Sequence, residues 1–424
     1  MVADMQRARM LAWELPSVGW NVEILTPRAS EVRRDLVELH NAAFFPPRCP
    51  VHEVGSLCRG LFEALGSRTH AWRTLLPMSR AGDRLLRSGR FDLVFFSTAT
   101  FVYFALGSRW KQRFNIPYVL DFHDPWVQDG VRRSVGNRGV RSRVMDVLSR
   151  RMEHRAVVNA DGLVSVSPMY LGPLRARYSH ENPTWFDSKR NAVIPFGALI
   201  SDQVEAAKTA NTSTRHSDTE LRIRYVGAGG PIMVRSFTLV CRGLAALRAR
   251  GNPLVNRARI ELFGTIYGWQ PGDIKHLEQV AQQIGVGDIV REEPSRVSYR
   301  RSLELVLESD GLLILGVDDE GYMPSKLFSY ALSGKPLLAS LHAASPAHAH
   351  LEKTPLLGSL LSFGNAEIAL DDATEIIARF LHQVADGVTI ERREILEPFL
   401  APAMARRHAQ LFAECLSRTA GKNA

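Results

Sequence analysis

Short apolar runs alternate with helical stretches along most of the 424-residue chain, and this alternation constrains the fold more than any other feature. Strands that alternate with helices form βαβ units with parallel strands. Several runs, such as LVFFS and LLILG, are apolar almost throughout, as expected when helices cover both faces of a sheet. We therefore predict an α/β protein with Rossmann-like sheets. The predicted strands are Trp20–Pro27, Phe91–Ser97, Pro117–Phe122, Gly162–Ser167, Ala192–Phe196, Ile223–Gly227, Ile260–Gly264, Asp288–Arg291, Gly311–Gly316 and Pro336–Ser340.

The length of the chain predicts two domains, because a single hydrophobic core usually stops growing at about 250–300 residues. The polar segment Leu199–Glu220 interrupts the alternation and is interpreted as a linker region. We predict an N-terminal domain over residues 1–198, a C-terminal domain over residues 221–397 and a C-terminal helix within residues 398–424.

The beginning of the chain departs from this pattern. Met5–Leu15 has the periodicity of a helix, and the strand Trp20–Pro27 follows it. A doubly wound domain normally begins with a strand and a glycine-rich turn before its first helix. That first strand is missing here. We favour a chain start further upstream, because the loss of a central strand would leave backbone groups unpaired.

The charge balance favours an anionic partner. The chain has 53 Lys and Arg against 44 Asp and Glu, a net charge of +9. Residues 59–90 and 131–160 contain seven and eight arginines, each with two acids, and both stretches look helical. Basic amphipathic helices bind anionic lipid surfaces, and a solvated face is the alternative. Nucleic acid is not expected as a partner, because no recognition module or aromatic-interleaved basic motif is present.

Cysteine use and the lack of a leader favour a cytoplasmic protein. The four cysteines form no C-x-x-C pair and no cluster with the spacing of a metal site. The first residues have no basic region followed by an apolar run. The most apolar segment, Phe91–Ser108, is interpreted as a strand followed by a helix, since a spanning helix needs about 20 mostly apolar residues. Any membrane contact is then expected to be peripheral.

Three polar residues, Asp121, His123 and Asp124, follow the apolar run of the segment NIPYVLDFHDPW. In open α/β sheets, ligands bind outside the carboxyl ends of the strands. Two carboxylates and an imidazole in that position suit acid–base catalysis or contacts to a substrate hydroxyl, so we take all three as candidate catalytic residues. The alternative is that Asp124 and Pro125 begin a helix, as N-cap and first residue, and the two roles are compatible.

A glycine-rich turn, with Gly227, Gly229 and Gly230, follows a predicted strand. Glycines allow a phosphate to approach backbone N–H groups at the N-terminus of a helix. The run is not the dinucleotide fingerprint, because the last glycine of G-x-G-x-x-G would fall at Ile232. A tight turn without a ligand is the alternative. Arg235, shortly afterwards, is a candidate for a further phosphate contact.

The segment GYMPSKLFSYALSGKP contains a third candidate site. Pro324 and Ser325 have the character of a helix start, so that Lys326 would lie in the first turn. A cation there opposes the helix dipole, and a bound anion would resolve the conflict. We predict that a diphosphate rests on this helix N-terminus and pairs with Lys326, the alternative being a solvated lysine.

At these segments the chain resembles the family 4 glycosyltransferases, which have the two-domain fold called GT-B. The segment NIPYVLDFHDPW resembles the D-x-R-D-P-W signature of a bacterial subgroup, with His123 in place of the arginine. Further resemblances occur in the family's order. They are Gly19–Thr26, Glu153–Ser167, Val193–Gly197, Arg224–Gly230, Ser309–Gly311 and Pro324–Pro336.

This resemblance implies two Rossmann-like domains that face each other across a cleft. The C-terminal domain would hold the nucleotide donor through Lys326, the glycine turn and Arg235, and the N-terminal domain would hold the acceptor. Family members generally retain anomeric configuration and use no metal ion. Two positions depart from the family. Ser329 stands where a glutamate usually holds the ribose, and Gly321 stands at the earlier motif glutamate, with Glu320 beside it.

The expected function is therefore the transfer of a sugar from a nucleotide-sugar donor to a glycan or lipid-linked acceptor in the assembly of cell-envelope polysaccharide. No cofactor other than the donor is expected. The expected site residues include Pro324, Ser325 and Ser329 beside Lys326. Two alternatives remain, a catalytically silent relative that only binds its ligand and a nucleotide-sugar epimerase of the same architecture.

Overall fold

The computed structural model describes residues 3–31, 44, 46, 49–57, 70–127, 140–179, 184–211, 220–365 and 367–422. The strands in these ranges are β1 (Ile24–Pro27), β2 (Val51–Val54), β3 (Val94–Ser97), β4 (Tyr118–Phe122), β5 (Gly162–Ser165), β6 (Arg190–Val193), β7 (Leu221–Val226), β8 (Ala258–Phe263), β9 (Val290–Glu293), β10 (Gly311–Leu315), β11 (Leu337–His342) and β12 (Ser359–Phe363). The α-helices are α1 (Ala3–Glu14), α2 (His70–Leu86), α3 (Ala105–Phe114), α4 (Val140–Asn159), α5 (Pro168–Tyr178), α6 (Ile200–Ala207), α7 (Val234–Ala249), α8 (Pro253–Arg257), α9 (His276–Ile284), α10 (Tyr299–Leu307), α11 (Leu327–Leu332), α12 (Pro346–Lys353), α13 (Leu370–Ala385), α14 (Arg393–Leu396) and α15 (Ala401–Lys422).

The chain forms two compact α/β units. The first comprises Met1–Val37, Phe45–Pro195 and Ala401–Ala424, and the second comprises Glu38–Phe44 and Phe196–Leu400. Helix α15 thus belongs to the first unit, although it follows the second unit in the chain. The segment interpreted as a linker contains α6, which packs against α10 inside the second unit. Residues 212–219 of that segment lie outside the described residues.

The first unit has a two-stranded sheet, β1-β2, and a four-stranded sheet with the order β3-β4-β5-β6. All the strand pairs are parallel, as predicted. Leu25 of β1, Val54 of β2 and Phe96 of β3 belong to one apolar cluster. Helix α1 is the first described element, so the expected first strand with its glycine turn is not among the described residues. The register sets Ser97 beside Asp121 at the carboxyl end of the four-stranded sheet.

The second unit has one parallel six-stranded sheet with the order β12-β11-β10-β7-β8-β9. All residues of β10 are buried, which confirms the expectation for the run LLILG. The run LVFFS forms β3, which is only partly buried because it lies at the edge of its sheet, so the expectation was wrong there. The sequence did not predict β2 and β12, which both lie at sheet edges. Their polar residues, such as Glu53 and Ser362, interrupt the apolar run because an edge strand is partly exposed.

One helical segment in the described ranges, Gly230–Ala249, meets the length and hydropathy criteria for a membrane span. It joins a 3-10 turn, Gly230–Met233, to α7, and 56% of its most apolar window is buried. Helix α7 packs against α9, α13 and β11, so its apolar residues form part of the core of the second unit. The segment Phe91–Ser108 forms β3, a 3-10 turn and the beginning of α3, as the sequence predicted.

Candidate functional site

The glycine turn continues the sheet beyond the end of β7. The N–H of Gly227 donates to the carbonyl of Phe263 at 2.7 Å, and the N–H of Gly229 donates to the carbonyl of Thr265 at 2.9 Å. These two amides are therefore satisfied inside the protein. They join the turn to the end of β8 and to the loop that follows it, and the contact of the glycine turn with a phosphate stays a prediction.

The missing side chain of Gly227 makes room for Lys326. A Cβ atom built on Gly227 would lie 1.8 Å from Lys326 Nζ, and the backbone φ of Gly227 is +147°. A Cβ on Gly229 would likewise lie 2.1 Å from the sulfur of Met233. A side chain at either position would have to displace the tip of a flexible side chain, and the positive φ of Gly227 independently favours glycine there. Gly230 has a φ of +47°, in the left-handed region, where the chain turns into the 3-10 segment before α7.

The ammonium of Lys326 lies over the aromatic ring of Tyr225, the penultimate residue of β7. Its Nζ atom donates to Tyr225 Oη at 3.1 Å and lies 4.4 Å from the ring centroid. Burial lowers the pKa of Lys326 to about 7, and the charge of Arg296 acts in the same direction. No carboxylate among the described residues acts on this ammonium to offset these effects. A partly desolvated cation without a counter-ion is suited to bind an anion.

The helix after this lysine begins later than predicted. Helix α11 starts at Leu327 and has six residues, so Lys326 is its N-cap and lies outside the first turn. The buried Pro324 and the partly buried Ser325 lie in the preceding turn. A helix of fewer than two turns has a small dipole, which weakens the argument for an anion resting on its N-terminus. The ammonium itself is therefore the main feature of the candidate site.

The other predicted donor residues have protein partners or face solvent. Ser329 Oγ donates to the carbonyl of Lys326, the N-cap of α11, at 2.9 Å. Arg235 Nη1 donates to both carboxylate oxygens of Asp318, at 3.0 and 3.1 Å, so its charge is partly neutralised. Glu320 is exposed. Of the predicted residues, the structure joins Gly227 and Lys326 in direct contact.

In the first unit, Asp121 and His123 form a buried pair at the carboxyl end of β4. His123 Nε2 lies 2.5 Å from Asp121 Oδ2, and Ser97 Oγ donates to the same oxygen at 3.1 Å. Asp121 is fully buried and His123 is 6% exposed. Burial alone would raise the pKa of Asp121, but the charges of Arg7 and His123 outweigh it and hold that pKa well below its usual range.

The buried carboxylate of Asp121 is neutralised by Arg7 of α1. Arg7 Nε lies 3.1 Å from Asp121 Oδ2, and Arg7 Nη2 donates to the carbonyl of Ile194 at 2.7 Å. His408 of α15 completes the cluster, with Nε2 3.4 Å from Arg7 Nη1 and Nδ1 2.8 Å from the carbonyl of Met404. Burial lowers the pKa of His408 to about 3, so the ring is neutral at pH 7. Because a carbonyl only accepts, Nδ1 carries the proton and Nε2 accepts from Arg7.

Asp124 differs from its two neighbours because it is exposed. Asp124 lies in a bend, and residues 128–139 lie outside the described residues, so the alternative that Asp124 and Pro125 begin a helix stays a prediction. Two side chains fix the end of this bend. Val127 donates its N–H to Glu153 at 3.1 Å and accepts from Arg177 at 2.9 Å. Among the three predicted catalytic residues, Asp121 and His123 are in contact, and Asp124 stands at the surface.

Sequence reasoning did not identify Tyr225, Arg296, Arg7 or His408 as parts of these sites. Tyr225 lies next to the glycine turn, at the end of an apolar run. The hydroxyl of a tyrosine in that position was the feature of the sequence that could have indicated it. Arg7 lies among apolar residues of α1, and a buried arginine requires a buried acid. No pattern in the sequence indicated which acid that was. No group of three or more His, Cys, Asp or Glu that could hold a metal ion occurs within the described ranges.

Residues 5–197 match the family described as "Glycosyl transferase 4-like domain". No curated protein matches the chain. Among solved structures, a glycosyltransferase from Rickettsia africae ESF-5 is similar, with 11% identity, 97% of this chain and 94% of that chain covered, and a TM-score of 0.58. HepE (Alr3699) of Anabaena, solved in complex with UDP and glucose, has 13% identity, coverages of 97% and 96%, and a TM-score of 0.55.

The α,α-trehalose 6-phosphate synthase of Burkholderia multivorans is also similar, with 11% identity, coverages of 95% and 98%, and a TM-score of 0.58. At such identities the likeness concerns the fold alone. The chain therefore has the α/β fold with two Rossmann-like units of these glycosyltransferase structures, and the match to a glycosyl transferase 4-like domain covers residues 5–197.

Proposed function

We propose that this protein is a glycosyltransferase whose second unit binds a nucleotide-diphosphate sugar through Lys326. The observation that carries the proposal is the lysine ammonium beside the glycine turn, without a carboxylate partner among the described residues. Two structurally similar proteins support a uridine nucleotide as the donor. HepE was solved with UDP and glucose, and a trehalose-phosphate synthase of Burkholderia xenovorans is described as UDP-forming.

The chemistry follows from the charge of the leaving group. When the bond between the anomeric carbon and the diphosphate breaks, the bonding electron pair goes to the diphosphate, which becomes more negative. A fixed ammonium that is already desolvated stabilises this charge without reorganisation of solvent. Arg296, whose charge acts on Lys326, would add a second positive charge. In agreement with the resemblance described above, we propose retention of anomeric configuration and no requirement for a metal ion.

The acceptor is proposed to bind at the carboxyl end of β4 in the first unit. The exposed carboxylate of Asp124 would contact an acceptor hydroxyl. The imidazole of His123, held by the Asp121 carboxylate at 2.5 Å, would contact the same substrate from its buried position at the end of β4. Asp121 acts through His123 in this proposal and is a positioning residue, because it is fully buried.

A lipid-linked acceptor is supported by the outer surface of α4. Met145, Val147 and Leu148 are 38, 50 and 38% exposed, and the exposed Arg150 and Arg151 follow them. Apolar and cationic side chains on one exposed helix suit an anionic membrane. We propose peripheral binding to the cytoplasmic face of the plasma membrane and a role in assembly of cell-envelope glycans. Residues 59–69 and 131–139 of the two basic stretches lie outside the described residues.

Membrane binding is tested by co-sedimentation with vesicles. Wild-type protein should sediment with vesicles of phosphatidylglycerol and phosphatidylcholine and not with phosphatidylcholine alone. The double variant Val147→Asp/Leu148→Asp should remain in the supernatant. Sedimentation of the variant to the same extent as the wild type would show that this surface of α4 does not bind the membrane.

The donor site is tested by calorimetric titration with UDP and GDP. Lys326→Met should abolish measurable binding of the nucleotide that the wild type prefers. Lys208→Met is the matched control, because Lys208 lies in the same unit and is paired with Glu205 at 2.5 Å on the surface. Binding to Lys326→Met with wild-type affinity would reject the proposed donor site. Addition of EDTA to the wild type should leave binding and turnover unchanged.

A binding protein without turnover is the second candidate. Two observations favour a protein that binds without turnover. Ser329 stands at the position of the family's glutamate and bonds to the carbonyl of Lys326, and Arg235 is paired with Asp318. Hydrolysis and transfer assays with the nucleotide sugar that binds best separate the two candidates. A silent protein binds the nucleotide sugar and releases no free nucleotide, whereas a transferase releases it in proportion to product.

A further inference from the structure

Tyr225 is the buried residue on which Lys326 and the glycine turn meet. Its side chain is 1% exposed, and it precedes the turn by two positions. Tyr225 Oη donates to the carbonyl of Ala228 at 2.8 Å and accepts from Lys326 Nζ at 3.1 Å. One hydroxyl thus bridges the backbone of the turn and the ammonium.

The direction of these hydrogen bonds is determined by the chemistry of the partners. The Ala228 carbonyl only accepts, so the single proton of the Tyr225 hydroxyl is committed to it. Burial raises the pKa of Tyr225 well above its usual range, and the neighbouring Tyr322, Tyr330 and Tyr267 act in the same direction, so this proton is retained. The oxygen can then only accept from Lys326. One N–H bond of the lysine is directed at Tyr225, and its other N–H bonds have no partner among the residues that the structure describes.

We propose that Tyr225 is a positioning residue, which holds the Lys326 ammonium and the glycine turn in one fixed arrangement for the donor diphosphate. This inference rests on the proposed function for the identity of the ligand. The contacts themselves do not depend on it. A hydrogen bond to the charged form of an amine favours that form. Tyr225 thereby opposes the burial and the charge of Arg296, which both favour loss of the lysine proton.

Tyr330 provides a matched control, because its hydroxyl also lies at the end of β7. Its hydroxyl accepts from the N–H of Val226 at 2.9 Å and donates to the Val226 carbonyl at 3.0 Å. Both of these hydrogen bonds are to Val226, and none of them is to Lys326. Tyr330 is buried, like Tyr225, and its hydroxyl also bonds to the end of β7. It therefore serves as a control for a purely structural role of a buried tyrosine at this place.

The first measurement is an NMR titration of nucleotide-free protein labelled with ¹³C at the lysine ε-carbon, with Lys326→Met used to assign the signal. In Tyr225→Phe the titration midpoint of Lys326 should fall by about one pH unit, because a hydrogen bond to a charged group is lost. In Tyr330→Phe the midpoint should stay at the wild-type value. An unchanged midpoint in Tyr225→Phe overturns the inference.

The second measurement is UDP and GDP affinity at pH 7.5. Tyr225→Phe should bind the preferred nucleotide about tenfold more weakly than the wild type, and Tyr330→Phe should match the wild type even if its Tm is lower. Equal weakening in both variants would show a structural role and overturn the inference. If neither nucleotide binds the wild type, the proposed function fails, while the NMR comparison still decides the role of Tyr225.

Discussion

Lys326 Nζ occupies the space that a side chain on Gly227 would fill, since a Cβ there would lie 1.8 Å from it. Two segments about a hundred residues apart are therefore matched to each other by size. The backbone φ of Gly227, +147°, favours glycine at this position, and its amide bonds to the carbonyl of Phe263.

Substitution Gly227→Ala should consequently displace Lys326 and weaken nucleotide binding at least about tenfold. It should also lower the free energy of unfolding by about 1–3 kcal/mol, because the backbone is strained and the new methyl group clashes. Calorimetry and urea denaturation measure the two effects. Gly251→Ala is the control, since Gly251 has a φ of +77° and no atom within 4 Å of a built Cβ. It should lose some stability and keep wild-type affinity.

Nucleotide binding should depend on pH through Lys326. In the nucleotide-free protein the pKa of Lys326 is about 7, and a bound diphosphate favours the charged form of this lysine. Affinity should be highest below pH 7 and fall by up to about tenfold per pH unit above it, until the pKa of the bound state is reached. Titrations between pH 6 and 9 measure this. A wild-type affinity that is constant over this range would contradict a protonated lysine at the site.

The same lysine should lower the stability of the nucleotide-free protein near neutral pH. Its pKa is about 7 in the folded protein and 10.5 in an ordinary setting, so the unfolded chain binds more protons between these values. The free energy of unfolding therefore rises as the pH increases through this window, and the full cost is present below it. We expect Lys326→Met to be more stable than the wild type at pH 7 by on the order of 1–2 kcal/mol, after allowance for solvent screening. Denaturation at pH 7 and pH 10 should show this difference shrinking.

Removal of Arg7 should destabilise the first unit strongly. The Arg7–Asp121 pair is fully buried, and Arg7→Met would leave the Asp121 carboxylate without its main counter-charge. Loss of one partner of a buried pair costs about 3–5 kcal/mol. The double variant Arg7→Met/Asp121→Asn should recover much of this loss, because no buried charge then remains. Guanidinium denaturation of the two variants tests the coupling, and equal stabilities would contradict it.

His123→Ala should lower turnover about a hundredfold or more if the imidazole contacts substrate as proposed. Nucleotide affinity should stay at the wild-type value, because Lys326 lies in the other unit. Initial rates with the best donor and a lipid-linked acceptor measure this effect. Unchanged turnover in a folded His123→Ala protein would remove His123 from the proposed mechanism.

The fold class could be predicted because buried parallel strands have a local signature. An apolar run such as Gly311–Leu315 predicts a central strand by itself, because every residue of a strand covered on both faces is buried. The edge strand Val51–Val54 has no such signature, because part of it faces solvent. The sequence likewise singled out Asp121 and His123 through their positions at the end of a predicted strand, and Lys326 through its position at a predicted helix start.

The amino-acid sequence by itself thus determined the α/β class, the central strands and the positions where polar chemistry follows them. Only the tertiary structure decided which residues meet. Tyr225 and Lys326 are 101 positions apart, and Arg7 and Asp121 are 114 positions apart. Burial, hydrogen-bond partners and pKa depend on distances through space, and strand order sets those distances. For that reason local patterns indicated an anion-binding site at Lys326, while the contacts of this lysine with Gly227 and Tyr225 could be found only in the folded chain.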